Sequence, residues 1–338
     1  MIFITTSPAR FLRPVTNLNF EKLEWITPLE QVFLDIDLPE GTHAEISSGN
    51  ILSILPQHIP FINYNQSPRN MYQCQMAKQT MGTAVLNWDY RYDNKLYRIL
   101  PSQLPLIRTK YYNDFKFNDY NSGTNAVVAV ISYTGYDMED AMIINKSSYE
   151  NGFGHGIVYK TVEYTLTKDE LKKPPKFKMF KDAPLDAQKS FEMPKGLDAD
   201  GVIKVGVKLR KFVPVLVLYE ASKKDFKTFF NKESEPCCVE GIVISSGENN
   251  NTEKVSIKLR FDRRPVIGDK FSSRHGQKGV LSMLWPKIDM PFTETGMTPD
   301  IIINPNAFPS RMTIGMLIES MAAKSAALDG KSFEYEAF

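Results

Sequence analysis

One stretch restricts this chain more than any other. Gly268-Asp269-Lys270-Phe271-Ser272-Ser273-Arg274-His275-Gly276-Gln277-Lys278-Gly279-Val280 sets Lys270, Arg274, His275 and Lys278 among three glycines. Strand-like sequence leads into it: Val255, Ile257, Leu259 and Phe261 alternate with Ser256, Lys258 and Arg260, the period of a half-buried strand. Arg263, Arg264 and Pro265 then break into the glycine-rich segment. Glycines let backbone approach a bulky anion, and lysines act as point charges on its oxygens. The other reading of such a run is a solvated basic loop. The glycine spacing, with only Asp262 and Asp269 as nearby acids, favours an anion site for a nucleotide or nucleic acid.

Composition narrows the class. A chain of 338 residues with 42% hydrophobic residues holds a real core and fills two or three ordinary domains or one composite domain. The net charge is only +2, so any nucleic-acid surface arises from local clustering. Three cysteines, with Cys237 and Cys238 adjacent, give neither a disulfide framework nor a Cys-x-x-Cys metal pair, which fits a reducing compartment. The longest apolar runs are strand-sized, so no membrane span is expected. Met1 to Thr6 lacks the charged start and long apolar core of a signal peptide.

Six prolines between Pro8 and Pro60 argue for strand and loop, without long helices, up to about residue 66. Asp35 and Asp37 alternate with Leu34, Ile36 and Leu38, as on the wet face of a strand. A helix is expected from Ser67-Pro68, with an apolar stripe of Met71, Cys74, Ala77 and Met81 and an amide-bearing face of Gln75 and Gln79. Asn125 to Ser132 reads as a buried strand. It runs through Gly135 into Glu139 and Asp140, which either face a metal or cationic partner or cap the next helix. Residues 156–263 read as β-rich, with strands near Val202–Lys208, Val213–Tyr219 and Ile242–Ser245 and a loop tip at Glu248–Asn251. Leu281 to Trp285 predicts a strand. A helix begins near Ser310, buries Ile314, Leu317, Ile318, Met321 and Leu328, and stops at Gly330. Arg311 beside its first turn opposes the helix dipole, a conflict that a bound anion would remove.

Four blocks, taken together and in order, carry a resemblance. They are Asn65-Gln66-Ser67-Pro68-Arg69-Asn70-Met71-Tyr72-Gln73 with Met76-Ala77-Lys78-Gln79; Gly135-Tyr136-Asp137-Met138-Glu139-Asp140; Gly268-Asp269-Lys270 through Gly279; and Pro309-Ser310-Arg311-Met312-Thr313. The chain resembles the second-largest, β-like subunit of multisubunit DNA-directed RNA polymerases. Its wording is most similar to the eukaryotic polymerase I version, since the polymerase II version typically carries Asn and Gln at the positions of Asp137 and Met138. Ala77 departs from the family, which usually has glycine there. The alternatives are the equivalent subunit of polymerase II or III, or a non-catalytic nucleic-acid-binding fragment.

The resemblance implies an α+β, β-rich fold: a split hybrid-binding domain with a β-barrel and an inserted β-rich wall, or flap. It implies residues 1–53 as the end of the external or fork region, 54–155 and 264–338 as two parts of the hybrid-binding domain, and 156–263 as the wall. It also implies an internal piece of a longer subunit, without that subunit's zinc-binding segment. The family extends RNA by in-line phosphoryl transfer with two magnesium ions. By resemblance, Asp140 assisted by Glu139 would face the second, nucleotide-borne magnesium. Lys270 and Lys278 would reach the RNA end and the phosphates, Arg69 and Arg311 the triphosphate, and Gln79 the RNA end. The implied partners are the largest polymerase subunit, other subunits, the DNA template, the RNA–DNA hybrid and ribonucleoside triphosphates, in the nucleus and nucleolus. The role of His275 stays open.

Overall fold

The computed structural model describes residues 13–115, 117–166, 177–246 and 252–335. The loop tip expected at Glu248–Asn251 and the first residues of the chain lie outside them. The architecture is α+β and β-rich, with most described strands gathered in small sheets and only two helices longer than two turns, Ser67–Ala77 and Ile314–Asp329.

The largest described β unit is built mainly from residues 156–263 and has two layers. Its five-stranded antiparallel sheet runs in the spatial order Lys208–Leu209, Cys237–Ser246, Thr252–Arg263, Gly156–Thr165, Lys95–Ile99. The last strand comes from well upstream and pairs Tyr97 with Val158. A three-stranded sheet of Asp225–Phe230, Pro214–Glu220 and Phe177–Met179 packs against it. Leu216, Leu218, Val255, Ile257 and Leu259 fill the space between them. As the alternation required, Val255, Ile257, Leu259 and Phe261 are buried.

The outer face of that strand departs from expectation. Ser256 and Lys258 are buried too, Lys258 being only 2% exposed. The segment around Trp88 lies over them. The Lys258 ammonium donates to the carbonyls of Trp88 (2.7 Å) and Asp89 (3.1 Å) and sits 4.7 Å from the centre of the Tyr159 ring. A buried ammonium persists only where such acceptors and ring faces replace its water.

A second five-stranded sheet matters most for function. Its order is Lys270–Ser272, Lys278–Trp285, Ala141–Asn145, Ile301–Ile303, Val128–Val130. Strands from both sides of the 156–263 excursion therefore alternate within one sheet. Lys278–Trp285 runs parallel to Ala141–Asn145, with Val280 beside Ala141. Met142 and Ile144 pack on one face and Ile143 on the other, which explains the unbroken apolar run.

Several expectations are corrected. Among the described residues every sheet is open, so the expected barrel does not occur there; in each five-stranded sheet the two outer strands pair on one side only. Asn125–Ser132 shortens to Val128–Val130, half-buried at a sheet edge. Of Val202–Lys208, Val202 and Ile203 make isolated bridges and only Lys208 joins a sheet strand. Asp37 has φ of 56° and accepts from the Glu45 N–H, so that segment is a turn rather than a strand face. Met71 is exposed, and the helix Ser67–Ala77 buries none of its residues fully. The long helix ends in a left-handed Gly330 as expected, but it buries Gly315, Met316 and Ala326 while Ile314, Met321 and Leu328 face outward.

Candidate active site

The acidic couple is presented by a turn that Asp137 builds. Asp137 is 0% exposed, and its carboxylate accepts from the N–H groups of Tyr133 (3.3 Å) and Gly135 (3.1 Å). Gly135, at φ of 81°, and Glu139, at φ of 53°, take left-handed backbone on either side of it. The chain then enters the strand Ala141–Asn145, not a helix. The short helix after that strand is capped by Asn145, whose side chain accepts from Ser147 N. Helix capping therefore does not explain Glu139 and Asp140. Glu139 is exposed and Asp140 is half-buried.

The basic stretch lies directly alongside. Val280 donates its N–H to the carbonyl of Asp140 at 2.8 Å. Lys270–Ser272 and Lys278–Trp285 form an antiparallel pair in which Lys270 faces Val280 and Ser272 faces Lys278. Residues paired in this way share a face, so Lys270 and Lys278 are diagonal neighbours, roughly 7–8 Å apart at Cβ. Both are exposed.

The other two basic side chains of the stretch turn inward. Arg274 pairs with Glu319 and donates to the Ile107 carbonyl at 2.8 Å. His275 is fully buried and meets the second oxygen of Glu319 at 2.5 Å through Nε2. Burial alone would raise the Glu319 carboxyl, but Arg274 and His275 outweigh it and hold it down at about 2. Gly276, between these residues and Lys278, has φ of 70°, and a β-carbon there would fall 2.3 Å from the Arg69 carbonyl oxygen. Only glycine fits that position.

Arg311 completes the cluster. It precedes the helix Ile314–Asp329 and forms an ion pair with Asp140. The dipole conflict expected at this helix end is met by a carboxylate of the chain itself. Its Nη1 is buried without a hydrogen-bond partner, so the guanidinium keeps an unused donor. Arg69 lies in the first turn of its helix, reaches the Gly276 carbonyl at 3.5 Å and sits 5.5 Å from the centre of the Tyr72 ring. Gln79 stands beyond the end of the same helix with an exposed side chain, and no polar contact of that side chain joins it to the cluster.

The structure thus brings Asp140, Arg311, Lys270 and Lys278 onto adjoining elements, with Arg69 on the flank and Gln79 apart. Sequence reasoning missed Asp137, Glu319 and Asn65. Each left a faint sign: Asp137 two residues after a turn glycine, Glu319 as the only charge between Ile314 and Ala323, and Asn65 just before a helix start.

Among the described residues no three His, Cys, Asp or Glu side chains gather as a metal cluster. Glu139 and Asp140 supply one acidic pair. That suits a magnesium ion whose other ligands are phosphate oxygens, water or another chain, and does not suit a self-contained site. No described helix is long and apolar enough to cross a membrane.

Comparison with known proteins supplies the lineage. Residues 55–338 match the family described as RNA polymerase Rpb2, domain 6. A protein of Euplotoides octocarinatus named DNA-directed RNA polymerase I subunit RPA2 is 51% identical over 351 aligned positions, covering 100% of this chain and 30% of that protein. Its namesake in Dictyostelium discoideum is 50% identical, covering 100% and 31%. The Homo sapiens subunit of the same name is 48% identical, covering 97% and 29%. The chain spans about 30% of the length of these curated relatives. With a family match over most of its length and these relatives along the whole of it, the chain belongs to the RNA polymerase Rpb2 domain 6 family.

Proposed function

We propose that this chain forms part of the active centre of DNA-directed RNA polymerase I, adding ribonucleotides to the 3′ end of ribosomal RNA as it is copied from DNA. The carrying observation is the Arg311–Asp140 ion pair beside the Lys270–Lys278 hairpin, whose Val280 is bonded to the Asp140 backbone. Names of the relatives support the polymerase and its type.

In the proposed reaction the RNA 3′ hydroxyl gives up its proton to solvent and attacks the α-phosphate, the bond to the β-phosphate breaks and pyrophosphate leaves. Magnesium, when bound, neutralises charge on the phosphates. Lys270 and Lys278 receive the RNA end and the phosphates, Arg311 and Arg69 orient the triphosphate, and Asp140 with Glu139 offers carboxylate oxygens toward the nucleotide's cation. Gln79 approaches the RNA end. One lysine–phosphate contact at about 4 Å contributes roughly 4 kcal/mol of gross attraction at an effective dielectric near 20, before desolvation. Converging cations therefore have leverage on the barrier. A single acidic pair does not build a full two-metal centre, so the chain is inert alone and works beside the largest subunit.

In this reading residues 1–53 end the fork region, 54–155 and 264–338 are two parts of a hybrid-binding domain, and 156–263 form the wall. Their interleaved strands in one sheet support joining the two outer parts. The template, the RNA–DNA hybrid and the other subunits are the partners, in the nucleus and its nucleolus.

The test is Lys278→Ala in the complex purified through a tagged form of this chain. Nucleotide addition on an RNA–DNA scaffold falls at least tenfold while the subunits still copurify. Elongation at the unmodified rate refutes the reading.

A further inference from the structure

The groups proposed to bind phosphate come from three separated stretches: Arg69, the Lys270–Lys278 hairpin and Arg311. One half-buried polar network, centred on the fully buried His275, touches all three. Asn65 accepts the N–H of Gly315, in the first turn of the long helix, on its Oδ1 at 3.1 Å. That fixes the amide so that its NH2 faces His275 Nδ1 at 2.9 Å. His275 Nδ1 is therefore an acceptor, and Nε2 carries the proton donated to Glu319. The other Glu319 oxygen takes Arg274. Gly276, next to His275, is pressed against the Arg69 backbone and its carbonyl receives the Arg69 guanidinium.

We infer that Glu319 is a positioning residue of the proposed nucleotide site: by holding Arg274 and His275 inside, it fixes the turn between the two strands that carry Lys270 and Lys278 and locks that turn to the helix behind Arg311. Glu319 touches no reacting group. It sorts the four basic side chains of the stretch, two toward itself and two to the anion. Charge-assisted hydrogen bonds in a buried network are strong and directional, which makes them suited to setting register between elements far apart in sequence. Asn65 extends the same lock to the segment that carries Arg69.

This inference rests on the polymerase reading, and the experiment separates the two. Nucleotide incorporation is measured against triphosphate concentration in the complex purified through tagged chain carrying Glu319→Gln, Lys278→Ala, or both. Glu319→Gln raises KM for the triphosphate at least tenfold with a smaller effect on kcat. Added to Lys278→Ala it costs less than a further threefold, because one of the two lysines it positions is already gone and the hairpin's joint grip is lost. Glu319→Gln combined with Arg274→Gln strands no buried charge, so it preserves assembly if the single change does not, and it shows the same rise in KM. An unaltered KM in that double variant, or effects of Glu319→Gln and Lys278→Ala that simply multiply, overturns the positioning role while leaving the polymerase reading intact. Full activity in Lys278→Ala removes both.

Discussion

Arg311 reaches back across the sequence to hold the carboxylate of Asp140, with the arginine side chain 20% exposed and the aspartate 36%. At that exposure solvent screens the pair, and it contributes no more than about 1 kcal/mol to folding. Asp140→Asn should therefore leave the unfolding midpoint nearly unchanged. Nucleotide addition by the complex should nevertheless fall more than tenfold. A variant that melts early and elongates normally would make the pair a structural brace instead.

Gly276→Ala tests the approach of the hairpin turn to the helix of Arg69. The new methyl meets a backbone carbonyl, which cannot rotate away, in a conformation that L-residues avoid. We expect a loss of about 2 kcal/mol or more in chemical denaturation. An unaffected midpoint would mean that the turn shifts freely.

Acid stability should carry the signature of Glu319. Its carboxyl titrates near 2 in the folded chain against an ordinary 4.5, with Arg274 and His275 facing it. As pH falls, the unfolded chain takes up this proton first. The contribution is complete above about 4.5 and is lost as pH falls toward 2, amounting to on the order of 3 kcal/mol. Denaturation midpoints across this range should slope downward with acid, and Glu319→Gln should flatten the slope. An equal slope in the variant would assign the effect to other carboxylates.

Lys258→Met keeps most of the side-chain volume and removes the ammonium. The carbonyls of Trp88 and Asp89 then lose their donor in a covered position. We expect about 1–3 kcal/mol of destabilisation in thermal or chemical melts. Stability equal to the parent chain would show that aromatic packing alone secures the Trp88 segment.

How much of this was legible depended on whether a pattern had a single solution. The alternation from Val255 to Phe261 admits only one strand face, and it folds that way. Ser67-Pro68 and Gly330 bound their helices for local reasons that act before any packing. The long helix was misread because Ile314, Leu317, Ile318, Met321 and Leu328 line up on one face at helical spacing, yet tertiary packing buries Gly315, Met316 and Ala326 on the other side. The wet side of the Thr252–Arg263 strand was misread because its cover comes from Trp88, far upstream. In the site, motif resemblance pointed to residues that converge, Gln79 excepted, but it did not separate outward from inward basic side chains. That division is set by Glu319, which no local pattern connects to Arg274 or His275.

The sheet that seats Asp140 has a consequence for biosynthesis. Ala141–Asn145 lies between Lys278–Trp285 and Ile301–Ile303, so the earlier strand has no neighbours until the ribosome has delivered both. Its apolar residues wait through the whole intervening excursion, which can fold ahead of them. Pairing across such separations is slow, and unpaired apolar strands associate with other chains. The nascent polypeptide is thus exposed until Ile301–Ile303 emerges, the interval in which a chaperone would protect this strand.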